Sequence, residues 1–346
     1  MTERTRPATI NDVAALSGVS KRTVTRVINR SPNVKDSTRR KVEAVIEKLN
    51  FAPNRQARGL AAKRSYLLGL VFDVPTLFIN EAQKEILDIV EEEGYELVVH
   101  ACHIRSERLV ENITRFVARA HLDGVIVLPP VSDISGLGKA LDASGCRYVS
   151  VTCEVNDYDW RLVVTNYQQA ISDLTRHLVD YGHRHIGFIA GPDTHLSSIQ
   201  RRSAFVRALE DHGLGLPPEM IAQGDFDFDS GVRAARSLLD RDNRPTAIFA
   251  ANDEMAFGVM NVAAEMGIRI PDDLSVVGFD GTPFSTFVVP SLSTVIRKPD
   301  EMARLGTQKL LAQINDGPEA ARAFETMISP RFVPRESTGP VPVSYT

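Results

Sequence analysis

Residues 9–28 read TINDVAALSGVSKRTVTRVI, and this stretch decides how the chain begins. Thr9 and Asp12 have the S/T-x-x-D/E spacing of a capping box, which predicts that a helix starts at Thr9. Gly18 is placed to end that helix, because glycine adopts the left-handed conformation of a C-cap without strain. Ser20 predicts the start of a second helix. Two short helices with so brief a turn between them have the spacing of a helix-turn-helix.

The second helix, residues 21–29, is amphipathic. Val24, Val27 and Ile28 recur at helical spacing and predict its buried face. The opposite face carries polar and basic side chains, namely Lys21, Arg22, Thr25 and Arg26. A helix fits the major groove of DNA, and arginine binds the O6/N7 edge of guanine with two hydrogen bonds. The pattern favours DNA binding over a protein-docking module, because the exposed face is strongly basic.

The charge of the chain is divided unevenly along its length. The 346 residues have a formal net charge of −4. Residues 1–64 contain 15 Lys and Arg against 5 Asp and Glu, so the remainder holds 25 bases against 39 acids. A basic head on an acidic body is typical of a head that binds a polyanion. A solvated basic tail is the alternative, and the helical pattern of the head argues against it.

A third helix is predicted from about Ser37 to Leu49, and a basic segment, residues 53–64, follows it. By itself this segment is typical of a linker with little helix content, because Gly59 weakens an already short stretch. Two interpretations stay open. Either the segment is a flexible linker, or it folds on DNA and inserts Leu60 between base steps in the minor groove.

From Ser65 onward, short apolar runs alternate with amphipathic stretches. Strands are predicted near 66–72, 95–99, 124–128, 147–152, 162–164, 185–190, 246–250 and 274–279. Helices are predicted near 80–93, 106–119, 134–144, 168–181, 198–212, 229–240 and 253–266. Such alternation predicts parallel sheets built from right-handed βαβ units. Two sets in tandem indicate an α/β body of two doubly wound lobes, with a ligand cleft outside the carboxyl ends of the strands.

The body lacks the motifs of common enzyme classes. No GxGxxG follows a strand, and neither a phosphate-binding loop nor a G-x-S-x-G elbow occurs. His183 and His185 are interpreted as part of a helix-to-strand turn, and His100 and His103 as surface or packing residues. We therefore expect no catalytic residues, no cofactor and no metal.

The cysteine content and the lengths of the apolar runs indicate the cellular compartment. The three cysteines, Cys102, Cys146 and Cys153, are widely spaced and form neither a metal cluster nor an even disulfide set. No run approaches the ~20 apolar residues of a membrane-spanning helix. The N-terminus also lacks the apolar core of a signal peptide. We expect a cytoplasmic protein without membrane partners.

Six short motifs between Thr9 and Leu60 carry a resemblance: Asp12-Val13-Ala14, Gly18-Val19-Ser20, Thr23-Val24, Arg26-Val27, Lys41-Val42 and Pro53-Asn54. They resemble the DNA-binding headpiece of the lac-repressor (LacI/GalR) family. The resemblance implies that three side chains read bases, namely Lys21, Arg22 and Arg26. It implies phosphate-contacting or capping roles for Thr9, Ser20, Thr23, Asn29 and Thr38. It also implies a hinge that enters the minor groove with Leu60 and Arg58, although Gly59 departs from the better helix former usual there.

The body resembles the same family in four segments, which are 189–192 (IAGP), 251–258 (ANDEMAFG), 275–280 (SVVGFD) and 290–295 (PSLSTV). The fold implied is that of periplasmic sugar-binding proteins. Its two lobes are joined by three crossovers, here expected near 162–166, 291–296 and 325–330. A free-standing transport-type binding protein is the alternative from a different class. It is disfavoured because such a protein is exported and has no headpiece.

The resemblance further implies an effector site made by Phe78, Arg201, Phe226, Asn252 and Asp280. These residue types suit a polyol, because polar groups hydrogen-bond vicinal hydroxyls while an aromatic face covers the C–H side of a ring. The alternatives are a core role for both phenylalanines and a helix-cap role for Asp280. Many relatives have an acidic residue after the fourth strand, where this chain has Thr152-Cys153. That departure leaves the identity of the ligand open.

We therefore predict four regions: a headpiece over 1–52, a hinge over 53–64, an effector-binding and dimerisation domain over 65–335 and a tail over 336–346. Lobe one is expected at about 65–162 and 295–326, and lobe two at about 163–292 and 328–335. The expected function is a homodimeric repressor of carbohydrate-utilisation genes that binds an inverted repeat in double-stranded operator DNA and is released by a sugar inducer. A purine or other metabolite acting as corepressor is the alternative. No leucine heptads follow the second lobe, so a dimer is expected rather than a tetramer.

Overall fold

The computed structural model describes residues 8–28, 33–51, 64–154 and 159–341. The chain divides between Tyr66 and Leu67 into two compact units. The N-terminal unit is the headpiece, and the C-terminal unit is the α/β body.

The headpiece contains three helices, namely α1 (Ile10–Ser17), α2 (Lys21–Ile28) and α3 (Asp36–Lys48). The Asp12 carboxylate accepts the Thr9 backbone N–H at 2.8 Å and the Thr9 hydroxyl at 2.7 Å. Gly18 has φ +63° and ends α1 in the left-handed conformation. The predicted start and end of the first helix are therefore confirmed.

A small apolar core holds the headpiece helices together. One valine from each helix is completely buried: Val13, Val24 and Val42. Phe51, 8% exposed, packs on the same cluster after α3 has ended. Because the core uses only one face of α2, the opposite face of that helix is left to solvent.

The body is built from two six-stranded sheets. The strands are β1 (Leu67–Phe72), β2 (Glu96–Ala101), β3 (Gly124–Val127), β4 (Arg147–Thr152), β5 (Leu162–Thr165), β6 (Ile186–Ala190), β7 (Ile221–Gln223), β8 (Ala247–Ala250), β9 (Ser275–Asp280), β10 (Ser293–Ile296), β11 (Met327–Ile328) and β12 (Arg331–Val333). The helices are α4 (Leu77–Glu92), α5 (Leu109–Ala120), α6 (Leu137–Ala143), α7 (Gln168–Asp180), α8 (Leu196–Glu210), α9 (Phe228–Leu239), α10 (Asp253–Glu265) and α11 (Pro299–Asp316).

Equivalent strands follow the same order in the two sheets. Lobe one has the order β2-β1-β3-β4-β5-β11, and lobe two has the order β7-β6-β8-β9-β10-β12. All pairs are parallel except β10 with β12. The central strands are buried on both faces because helices cover both sides, as in doubly wound folds. The expected α/β architecture with two parallel-sheet lobes is confirmed.

The observed sheets correct three lobe boundaries. Residues 327–328 belong to lobe one, because Ile328 of β11 pairs with Thr165 of β5. Residues 163–165 belong to lobe one, because Val163 of β5 pairs with Val151 of β4 in a parallel ladder. Residues 295–296 belong to lobe two, because Val295 of β10 pairs with Phe279 of β9. The crossovers therefore follow β5, β10 and β11.

The expected tail from residue 336 is wrong for its first part. Ser337 donates its hydroxyl hydrogen to the Val276 carbonyl at 2.6 Å, and its own carbonyl accepts the Val276 N–H at 2.8 Å. Gly339 O lies 3.0 Å from Nε2 of the buried His183. Residues 336–341 thus complete lobe two, because their backbone forms hydrogen bonds with Val276 at the start of β9 and with His183.

Candidate DNA-reading face and effector cleft

Helix α2 presents the predicted reading face to solvent. Val24 and Val27 are buried in the headpiece core. The side chains predicted to face outward are all exposed, namely Lys21, Arg22, Thr25 and Arg26. Arg22 and Arg26 lie one helical turn apart, so both cations point from the same side of the helix. This arrangement suits insertion into the major groove.

The predicted capping and phosphate-contacting residues differ in their hydrogen bonds and in their exposure. The Ser20 hydroxyl accepts the Thr23 N–H at 3.1 Å and lies 2.9 Å from the Thr23 hydroxyl. Thr38, partly exposed in the first turn of α3, donates its N–H to the Lys35 carbonyl at 2.9 Å. The assignments of Asn29, Arg58 and Leu60 lie outside the described residues.

In the body, Arg201 is a buried cation at the carboxyl edge of the lobe-two sheet. The α8 helix carries it, and its side chain is 2% exposed. The guanidinium carbon lies 3.9 Å from the ring centroid of Phe279. Its Nη1 donates to the Ala251 carbonyl, and its Nη2 lies 3.6 Å from Oδ1 of Asp280. The structure therefore brings together two residues, Arg201 and Asp280, that are distant in the sequence.

A second buried arginine shares Asp280. Nη1 of Arg297, which follows β10, lies 3.2 Å from the same Asp280 Oδ1. Its guanidinium carbon sits 3.8 Å from the ring centroid of Phe78 at the start of α4. Burial lowers the pKa of Arg297, but Tyr167 and Asp280 raise it above its ordinary value. Arg297 was missed in the sequence, because a basic residue after a strand has no distinctive pattern there.

Arg297 also connects the lobes. Asp280 belongs to lobe two, whereas Phe78 belongs to lobe one. The same guanidinium contacts both residues, through an ion pair and a cation–π contact. Their contacts place the carboxyl edges of both sheets at one cleft.

Asn252 caps a helix and contacts the backbone of Phe226, two roles that the sequence did not indicate. Its Oδ1 accepts the Met255 N–H at 3.0 Å and caps α10, and its Nδ2 donates to the Phe226 carbonyl at 2.8 Å. Phe226 has φ +65°, and its ring lies so close to Gly191 that a Cβ there would be 2.2 Å from it. Asn252 and Gly191 therefore position the Phe226 aromatic ring.

Thr152, at the end of the fourth strand, contacts a carboxylate from another connection of lobe one. Thr152 donates its hydroxyl hydrogen to Asp133 Oδ1 at 2.9 Å, and Asp133 lies in the connection after β3. Burial raises the pKa of Asp133 to about 6, with Glu154 adding to the effect. A cavity of about 470 Å³ is lined here by residues of lobe one and by Leu196 of lobe two.

Two further findings bear on the function class. Among residues 8–28, 33–51, 64–154 and 159–341, no three His, Cys, Asp or Glu side chains are grouped to hold a metal ion. No helix in this part of the chain has the length and apolar character needed to cross a membrane.

Comparisons with known proteins agree with this architecture. Residues 9–54 match the family described as bacterial regulatory proteins, lacI family, and residues 175–338 match a periplasmic binding protein-like domain. Catabolite control protein A of Priestia megaterium is 33% identical over 309 residues, which cover 89% of this chain and 92% of that protein.

Two solved structures resemble the chain over nearly its whole length. The lac repressor dimer bound to operator and the anti-inducer ONPF has a TM-score of 0.78 and 28% identity, covering 96% of this chain and 100% of that one. The transcriptional regulator CelR–cellobiose complex has a TM-score of 0.68 and 28% identity, covering 95% and 99%.

A helix-turn-helix headpiece joined to a two-lobed binding domain defines a ligand-controlled DNA-binding regulator. The chain belongs to the lacI family of bacterial regulatory proteins. Proteins of this family are transcriptional repressors that act as dimers on operator DNA under the control of small-molecule effectors. The resemblance inferred from the sequence motifs is confirmed, and so is the prediction of a DNA-binding transcriptional regulator.

Proposed function

We propose that this protein represses carbohydrate-utilisation genes and leaves its operator when a sugar or sugar derivative binds between the lobes. The observation that carries the proposal is the buried cluster of Arg201 and Asp280 beside the Phe226 ring. The guanidinium carbon of Arg201 lies 5.5 Å from the centroid of that ring. Polar groups next to an aromatic face suit the hydroxyl edge and the C–H face of a sugar.

On the DNA side, Lys21, Arg22 and Arg26 read bases in each half of an inverted repeat. Their exposure on one face of α2 supports this assignment. Thr9, Ser20, Thr23, Asn29 and Thr38 position the headpiece on phosphates or cap its helices. The hinge residues Arg58 and Leu60 act in the minor groove at the centre of the operator.

The effector and the operator are coupled through one conformational equilibrium. A ligand that contacts both lobes changes their separation and therefore the affinity for DNA. By linkage, operator DNA changes effector affinity by the same factor, typically ~5–150-fold. Neither catalysis nor a cofactor enters this scheme, and the protein acts in the cytoplasm on chromosomal DNA.

The experiment is a thermal-shift screen of the intact protein with sugars, sugar acids, sugar phosphates and nucleobases. A ligand that binds the native state raises the melting temperature. Each hit is then titrated into the operator complex, and a sugar that weakens operator binding is the expected result. A nucleobase that strengthens operator binding would support the corepressor alternative instead. Stabilisation by no carbohydrate would contradict the proposal.

A further inference from the structure

The effector cleft contains two buried cations and one carboxylate in contact with them. Arg201 and Arg297 have side chains that are 2% and 8% exposed. Within the described part of the chain, Asp280 is the carboxylate that lies within 4.0 Å of either guanidinium, and it contacts both. A buried charge is stable only when it is paired and hydrogen-bonded.

Both arginines also keep an unused donor. Nε of Arg201 and Nε of Arg297 are buried and have no hydrogen-bond partner among the residues that the structure describes. A guanidinium N–H can donate but never accept. A buried donor without an acceptor costs free energy, which a ligand oxygen placed here would recover.

Cys153 and Asp253 do not supply a second negative charge to the two guanidinium groups. Burial raises the pKa of Cys153 to about 12, so its thiol stays neutral at pH 7. Asp253 is fully buried, but its carboxylate is engaged by hydrogen bonds from Thr282 and Thr294.

The rim of the cleft carries two further carboxylates. Glu81 and Glu254 are partly exposed and form no ion pair with either arginine in the described structure. Burial and nearby carboxylates, including Asp280, raise the pKa of both. Both therefore interact with the charge of Asp280, and neither neutralises a guanidinium group through an ion pair.

We propose that the effector is an anionic sugar, whose carboxylate or phosphate binds between Arg201 and Arg297 while Asp280 accepts a neighbouring hydroxyl. The inference rests on the proposed function, because it specifies the ligand class of the same cleft. A planar guanidinium pairs with either anion through two parallel hydrogen bonds. Arg297 determines this specificity and, through its contact with Phe78, holds lobe one against the bound anion.

The test compares ligands that differ only at one carbon. D-glucose, D-glucuronate and D-glucose 6-phosphate, and the same three forms of galactose, are titrated calorimetrically into the intact protein. At least one anionic form is expected to bind tenfold or more tightly than its neutral parent. Preference for the uronate identifies a carboxylate effector, and preference for the 6-phosphate identifies a phosphorylated one.

Variants of Arg297 then test whether this arginine causes the preference for the anionic sugar. R297Q is expected to reduce the affinity for the anionic sugar at least tenfold more than the affinity for its neutral parent, whereas R297K recovers part of that difference. R304Q is the matched control, because Arg304 is exposed and paired with Glu85 on α4. It is expected to leave the preference unchanged.

Two results would overturn the inference. One is that every anionic form binds no more tightly than its neutral parent. The other is that R297Q keeps the full preference for the anion. In both cases a neutral sugar that still weakens operator binding would leave the proposed function intact, so the two failures are distinguishable.

Discussion

The headpiece exposes its charged side chains, whereas the effector cleft buries them. In the headpiece, Arg22 and Arg26 lie one turn apart on a single helix and are exposed. In the cleft, Arg201 and Arg297 come from distant parts of the chain, are buried, and meet at Asp280. The first arrangement depends on local helix geometry, and the second depends on the packing of a whole lobe.

This contrast predicts how the two regions respond to substitution. Removing an exposed charge from α2 changes an interaction with a partner and hardly changes folding. Removing a buried charge from the cleft leaves another charge without its partner, so that folding and binding both suffer. The following experiments test this contrast.

The largest effect is expected for Asp280→Ala. It leaves two buried guanidinium groups without their shared carboxylate, which is expected to reduce the free energy of unfolding of the body by ~3–5 kcal/mol. The folded protein should still bind operator but no longer respond to effector. Urea denaturation and effector titration of the operator complex measure the two quantities.

Glu265→Ala is the control for Asp280→Ala. Glu265 pairs with Arg236, and both side chains are about half exposed. An exposed ion pair contributes ~0–1 kcal/mol, so this variant should keep nearly the parent stability and the full effector response. A normal effector response in Asp280→Ala would show that Asp280 is not part of the switch.

A smaller effect, confined to DNA, is expected for Arg22→Ala. Loss of one base contact should cost ~1–3 kcal/mol per half-site for the preferred base and should equalise the bases at that position. The stability of the headpiece should not change, because the Arg22 side chain is exposed. Binding measurements over a library of operator variants, at fixed salt concentration, test this expectation.

Thr38→Val provides the comparison for Arg22→Ala. Loss of the Thr38 hydroxyl should weaken binding to all operator variants alike, because contacts to phosphate carry no sequence information. An unchanged ranking of operator variants with Arg22→Ala would contradict the assignment of the reading face.

The smallest effect concerns pH and Asp133. Its pKa in the folded protein, about 6, lies above the ordinary value of 3.8, so between these values the folded state binds more protons than the unfolded state. Stability therefore falls as the pH rises through this window. Asp133→Asn should reduce that slope and raise stability at pH 7, because the substituted side chain has no proton to lose in this window.

Denaturation of the intact protein between pH 4 and pH 7 measures the Asp133 effect. The control is Asp242→Asn, which changes an exposed carboxylate after α9. It is expected to reproduce the pH profile of the parent. An identical slope in Asp133→Asn and the parent would show that burial of Asp133 does not contribute to the pH dependence.

The headpiece was predictable because its signals are local. The Thr9–Asp12 capping box, the Gly18 C-cap and the spacing of Val24 and Val27 each act within one or two helical turns. The alternation of strands and helices in the body was also predictable, since each element has its own hydrophobic period. The structure confirms both.

The features of the body that the sequence did not predict depend on contacts between residues far apart in the chain. Helix α11, Pro299–Asp316, was not predicted, because buried polar residues such as Lys309 and Gln313 interrupt its hydrophobic pattern. Strand β5 was assigned to the wrong lobe, because the choice of sheet depends on its pairing with β4 and leaves no mark in its own composition. Asp133 and Arg297 were missed for the same reason, since each gains its role from a distant partner.

The sequence by itself determined the class of protein, the exposed basic face of α2 and the alternating architecture, because these depend on contacts between near neighbours in the chain. Tertiary structure alone decided which charges meet in the cleft. It placed Asp280 between Arg201 and Arg297, engaged Asn252 as a helix cap, and brought the Asp133 carboxylate to Thr152 at the end of β4. The physical reason is burial: the charge balance of a buried site depends on every group packed against it, and those groups come from strands and helices far apart in the sequence.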